Sequence, residues 1–129
     1  MCMISDADGL CVVLHDKDQI ARKEHKCHEC SRQISIGETY KNECLVWEGA
    51  KRTHKTCAHC MIVRNWLVGE CGGWVYGEIY TDIEEHSWEG YGAEIKLMAV
   101  GMRRKWTRKD GKPWRLPRQP KSSGHAQAA

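Results

Sequence analysis

The chain has 129 residues, 41% of them hydrophobic and none of them Phe; that is material for one small core, and small cores usually rely on a metal or disulfide staple. No run of 18 apolar residues occurs, which excludes a membrane-spanning helix, and residues 1–10 carry Asp6 and Asp8 but no basic residue, unlike a secretory signal. The net charge of +3 is uneven: residues 101–121 hold nine Lys or Arg against Asp110 alone, +8 in that stretch and −5 elsewhere, which directs the tail toward a polyanion.

In chain order the sequence predicts an α+β fold in four stretches. Residues 1–24 are an N-terminal segment in which 10–14 reads as a short strand. Residues 25–70 are the best-defined block. Cys27-His28-Glu29-Cys30 opens it, Gly37 turns the chain, and 38–47, rich in Thr, Tyr, Val and Trp, reads as a strand. Glu48-Gly49-Ala50 reads as a hairpin turn, with 51–54 returning as the second strand. Cys57-Ala58-His59-Cys60 then leads into a helix over 61–68, where Ile62, Val63, Trp66 and Leu67 recur at helical spacing, and Gly69 is the expected stop.

Residues 71–101 read as a helical segment. Cys71-Gly72-Gly73-Trp74 is a turn with a packed indole, and 78–100 is a helix interrupted around 87–92, its exposed side acidic through Glu78, Asp82, Glu84, Glu85 and Glu89. Residues 102–129 are a basic arm in which Pro113, Pro117 and Pro120 block long helices, and 119–129 are expected to lack structure.

The two CxxC pairs, Cys27/Cys30 and Cys57/Cys60, are separated by 26 residues. Without a secretory signal the expected compartment is a reducing cytoplasm, where such pairs read as metal ligands before disulfides. Zinc takes four thiolates in a tetrahedron, and a two-residue spacing lets both members of a pair reach one ion. A helix start at the second pair supplies unpaired amides and a positive dipole end for thiolates. A redox pair would follow a strand in a βαβ pattern, which is not evident. Zinc is therefore the expected cofactor, with chelation expected to unfold at least 25–70.

The motif Lys26-Cys27-His28-Glu29-Cys30, then Ile34-Ser35-Ile36-Gly37-Glu38-Thr39-Tyr40, then Lys55-Thr56-Cys57-Ala58-His59-Cys60 resembles the treble-clef zinc fingers, a group that includes the first zinc module of LIM-like domains. With the preceding Ala21-Arg22-Lys23-Glu24-His25, it also resembles small treble-clef proteins of tailed phages and prophages, in which a GE-x-Y follows the first pair and a basic segment with Trp lies near the end. The resemblance implies a knuckle, a β-hairpin and a helix around one zinc, and a phage-encoded protein acting in a bacterial cytoplasm. It implies no activity.

The remaining cysteines and histidines have simpler readings. Cys44 reads as a small buried hydrophobe, and Cys2 and Cys11 as free or buried thiols. Cys71 and His86 are candidates for a second metal site, with His15 or His54 as distant partners, although fourteen intervening residues are not a ligand signature. His25, His28, His54 and His59 flank the cysteines and read as exposed or as neighbours of the ligands. The run from Asp82 to His86 contains no HExxH and reads as a solvated helix face.

In the arm, Arg103, Arg104, Lys105, Trp106, Arg108, Lys109, Lys112, Trp114 and Arg115 are the candidate nucleic-acid contacts: cations neutralise phosphates and indoles stack on bases. Arg22, Lys23, Lys51, Arg52 and Lys55 would assist. The alternative for the indoles is a short hairpin, turned at Asp110-Gly111, that packs back over the core. No helix with a base-reading set is visible, so binding without sequence preference is expected. The second functional reading is an adaptor or inhibitor that binds a host protein through the acidic face or the Trp-rich surface. The third is an HNH-like nuclease built on His54, which lacks the accompanying His and Asn residues.

Overall fold

The computed structural model describes residues 11–47 and 49–120. Its order is β1 (Cys11–Ile20), β2 (His25–Lys26), β3 (Gln33–Ile34), β4 (Thr39–Trp47), β5 (Ala50–Cys57), α1 (Ala58–Cys71), α2 (Ile79–Ser87) and α3 (Ala93–Arg103). This is an α+β fold with an antiparallel sheet ordered β1-β4-β5, a two-stranded β2-β3 ribbon and three helices.

β1 is longer than the strand expected at 10–14. It runs to Ile20 and pairs along β4 from Cys11↔Trp47 to Ile20↔Thr39, with a bulge between Val13 and His15. Its second half, His15-Asp16-Lys17-Asp18, has no apolar alternation, because an edge strand held by its backbone ladder needs none. Side chains add to the ladder: Lys41 Nζ lies 2.9 Å from Asp16 and Asn42 donates to Gln19. β4 and β5 form the expected hairpin, with Trp47 opposite Ala50 and Gly49 at φ +81°. Gly supplies that left-handed backbone without a Cβ clash. Glu48, also assigned to this turn, lies outside the described residues. β5 continues beyond 54 to Cys57, opposite Tyr40, so the strand delivers the second cysteine pair straight into α1.

α1 does not stop at Gly69. It passes through that exposed residue and ends at Gly72, whose φ of +84° lets its N–H return to the Val68 carbonyl at 2.9 Å. Its buried face is His59, Cys60, Val63, Arg64, Trp66 and Leu67. α2 and α3 pack on each other across the predicted break. Asp82, expected on the exposed acidic side, is instead buried, while Glu78, Glu85 and Glu89 remain exposed. Trp74 is half-buried and packs against the core, as its turn predicted. One core joins all these parts: the four cysteines meet Ile34, Trp66, Leu67, Ile79, Ile83, Ile95, Met98, Met102 and Trp106. Of the 119–129 stretch, residues from 121 onward lie outside the described residues.

A buried ion pair ties α1 to the sheet. Arg64 donates both guanidinium arms to Glu43 at 2.6 and 2.8 Å, Tyr76 donates to the same carboxylate at 2.7 Å, and the Trp74 ring lies 3.8 Å from the guanidinium. Burial, with the bond to Glu43, holds the Tyr76 phenol well above its usual range. Arg64 and Glu43 are 5% and 3% exposed, so removing one strands a buried charge. Arg64→Met is expected to cost about 3–5 kcal/mol in urea unfolding, whereas Arg64→Met with Glu43→Leu should recover most of it. Equal midpoints for the single variant and the parent would contradict this.

Candidate metal centre

The knuckle between β2 and β3 is fixed by its backbone. Cys27 N–H bonds the Arg32 carbonyl at 2.8 Å and Ser31 N–H the Cys27 carbonyl at 3.0 Å, with Ser31 in the left-handed region at φ +67°. His28 N–H reaches the Lys55 carbonyl of β5 at 2.8 Å, which brings the first pair beside the second. Cys57 closes β5, and Cys60 sits in the first turn of α1.

The four Sγ atoms lie within 4.8 Å of one another, and all four residues are buried. Cys30 Sγ and Cys57 Sγ are 3.9 Å apart. A tetrahedral ion with metal–sulfur bonds of about 2.3 Å places its sulfurs about 3.8 Å apart, so this spacing fits one metal ion. It does not fit a disulfide, which needs about 2.0 Å. Backbone amides also face the cluster: Glu29 N–H and Cys57 N–H each donate to Cys27 Sγ at 3.4 Å.

The thiols do not share negative charge easily. Hydrogen bonds from Cys27, Cys30 and Cys60 hold the Cys57 thiol far below its usual range. The contact with Cys27 drives Cys30 far up, and burial drives Cys60 up. The bond from Cys30 holds the Cys27 thiol below its usual range as well, so the cluster divides into two thiols held low and two driven up.

A polar shell orients the cluster. Trp106 Nε1–H donates to Cys60 Sγ at 3.3 Å. Arg32, 7% exposed, grips Glu38 with contacts of 2.9 and 3.2 Å and places Nη2 3.4 Å from His59 Nδ1. A guanidinium has no acceptor, so Nδ1 accepts and His59 carries its proton on Nε2, which donates to the Trp114 carbonyl at 2.6 Å. Burial alone would raise the Glu38 carboxyl, but Arg32 and the Ser35 N–H hold it below its usual range. Arg32, Glu38 and Trp106 were invisible as neighbours of the centre in the sequence, because each reaches it from a different element.

The expected nucleic-acid residues divide. Trp106 is fully buried, so it is not available to stack on a base, and Trp114 is half-buried, edge-on to it with ring centroids 5.6 Å apart. The indoles pack on the core. The hairpin alternative fits: Thr107 bridges Pro113, Arg108 N–H meets the Lys112 carbonyl at 2.8 Å, and Gly111 turns at φ +86°. The cations Arg103, Arg104, Lys105, Arg108, Lys109, Lys112 and Arg115 are exposed.

Cys71 and His86 do come together, with Sγ 3.4 Å from Nε2 while Nδ1–H donates to the Asp82 carbonyl at 2.7 Å. Among the described residues no third ligand joins them, so they do not make a second metal cluster. Cys44 is buried, as expected. His54 stacks on Tyr76 with centroids 3.9 Å apart and meets His28 edge-on. His25 lies beside Lys55 and Tyr40, and burial with the Lys55 and Lys23 charges depresses its pKa.

No helix of the described residues is long and apolar enough to cross a membrane. No family model matches the chain, and neither the curated proteins nor the solved structures contain a match to it. The protein is thus an α+β chain with a zinc-finger-like knuckle whose four buried cysteines fit a metal ion.

Proposed function

We propose that the four cysteines hold one zinc ion in a treble-clef module, and that the protein binds nucleic acid through the phosphates. Zinc is supported by four buried sulfurs within 4.8 Å of one another, a four-thiolate donor set that suits structural zinc and leaves no site for a substrate. The treble clef is supported by the order of knuckle, β4-β5 hairpin and helix, with one cysteine pair on the knuckle and the other at the helix start. The resemblance to phage and prophage proteins supports action in a bacterial cytoplasm.

One observation carries the binding reading. Seven exposed cations, from Arg103 to Arg115, stand on a segment that Trp106 and the Trp114 carbonyl pin to the cysteine centre. Charge held on an ordered hairpin loses little conformational entropy on binding, and cations without available indoles read phosphate rather than sequence. A host-protein contact is the second reading, favoured by Trp88, 84% exposed, with Leu97 at 58% and Leu116 at 57%. No catalysis is assigned to His54, whose ring is engaged by Tyr76.

Deleting the arm would empty the Trp106 site, so the test neutralises charge in place. Arg108→Gln/Lys109→Gln/Lys112→Gln is compared with the parent by fluorescence anisotropy on labelled DNA across a salt series. The parent is expected to bind in a salt-dependent way, and the variant to lose roughly two to three units of the log–log salt slope. An absence of binding by the parent at low salt would remove the nucleic-acid reading and favour the protein partner.

A further inference from the structure

A second concentration of positive charge lies away from the arm in sequence. Where β1 ends, the chain bends around a hollow of about 780 Å3 lined by Lys17, Arg22, Lys23 and His25, with Ile20 and Tyr40 forming its apolar wall. The bend is pinned: Ala21, 2% exposed, donates to the Glu38 carbonyl at 2.8 Å and accepts from Gly37 N–H at 2.9 Å. Arg22 and Lys23 therefore project from a fixed backbone. Both are exposed, as is Lys17, and none of the three is in an ion pair among the described residues. Lys55 adds a fourth cation, its Nζ 3.3 Å from His25 Nδ1. Asp18, the acid in the lining, faces Lys41 Nζ at 3.6 Å.

The hollow adjoins a second one of about 380 Å3, with which it shares Asp18 and Tyr40. The second hollow is walled by Met61 and Ile62 of α1 and by Leu116, which follows Arg115 of the arm. The two hollows thus lie side by side at Asp18 and Tyr40, and Leu116 brings the arm to the edge of the second.

We infer that this groove binds the phosphates of a single-stranded nucleic acid and continues the path begun on the arm. The inference rests on the nucleic-acid reading above and names its partner more closely. Ile20 is 68% exposed among the cations, beside the half-buried His25 ring, while Tyr40 is buried and closes the floor. A duplex presents a stiff convex rod of phosphates and has no use for an apolar wall. A single strand bends into a hollow, sets its backbone on the cations and lays base faces on apolar and ring surfaces.

The test uses the full metal-loaded chain and three labelled probes of equal length: oligo-dT, oligo-U and a DNA duplex. Lys17→Gln/Arg22→Gln/Lys23→Gln is compared with the parent and with the arm variant, and circular dichroism checks that the fold is kept. The groove variant is expected to bind the single strands about tenfold more weakly at low salt, with a slope smaller by about two. The dT and U probes compare a DNA with an RNA single strand, which differ in the sugar 2′-OH and in the base methyl. Parent-like binding by the groove variant overturns the inference and leaves the arm reading intact. Duplex binding as tight as single-strand binding also overturns it. Loss in both variants supports the shared path, loss in the groove variant alone overturns its continuation from the arm, and no binding by the parent removes both readings.

Discussion

Stripping the metal with a chelator is expected to unfold residues 25–70 and to release the arm in the same transition. The cysteines are not appended to a finished core; they are one end of it, in contact with the cluster that holds Ile34, Val63, Leu67 and Trp106. The knuckle, the β2-β3 ribbon and the start of α1 converge on the four sulfurs, and β2 and β3 have two residues each, too few to stand alone. An unfolded chain has no preformed site, so binding free energy, about 10–16 kcal/mol for structural zinc, enters folding directly. That is as large as the whole stability of a typical domain, about 5–15 kcal/mol. Loss of helical ellipticity together with a red shift of Trp fluorescence is the expected reading. Cys57→Ser should act in the same direction, since it removes the ligand that closes β5. Unchanged spectra after chelation would contradict the expectation.

Trp106→Ala is expected to give the next largest loss. The indole is fully buried and lies against Gly101, where any Cβ would collide with its ring atoms. The two positions are therefore matched, and the emptied site cannot collapse easily because Trp114, edge-on, and His59, tilted, wall it in. Deleting a buried aromatic of this kind costs about 3–5 kcal/mol. Trp106→Phe separates packing from chemistry: it keeps most of the ring but removes the N–H donated to Cys60 Sγ. Loss of such a partner of a metal ligand typically weakens metal affinity by about 10–100-fold. The Phe variant should thus stay folded in urea yet surrender its metal earlier to a competing chelator. An Ala variant with the parent midpoint would show that the indole is not part of the core.

The metal centre was legible because its chemistry is local: a CxxC pair sets its own sulfur spacing, and the hairpin and helix periodicities between the pairs are short-range. The features that escaped depend on contacts between elements. β1 looked like a strand only over 10–14 because its second half alternates charge, and pairing with β4 supplies what side-chain burial does not. Gly69 and Gly72 are equivalent as residues, and only the φ of +84° at Gly72 shows which one ends α1. Trp106 sits among cations in sequence, so its composition resembled a base-stacking arm; its burial depends on Gly101 and Cys60, neither of which is marked as its partner. Asp82 likewise reads as part of a solvated acidic face, although it is buried. The exposed cations of the arm, by contrast, stand where the charge distribution put them.

The most direct measurement on the metal centre is native mass spectrometry of the chain as purified from the cell, alongside the chelated form. One zinc per chain, with a mass equal to the fully reduced chain plus zinc less two hydrogens, is expected in the first, and a broad unfolded charge distribution in the second. A compact chain that carries no metal, or whose four cysteines are paired as disulfides, would contradict a fold built around the Cys27, Cys30, Cys57 and Cys60 cluster.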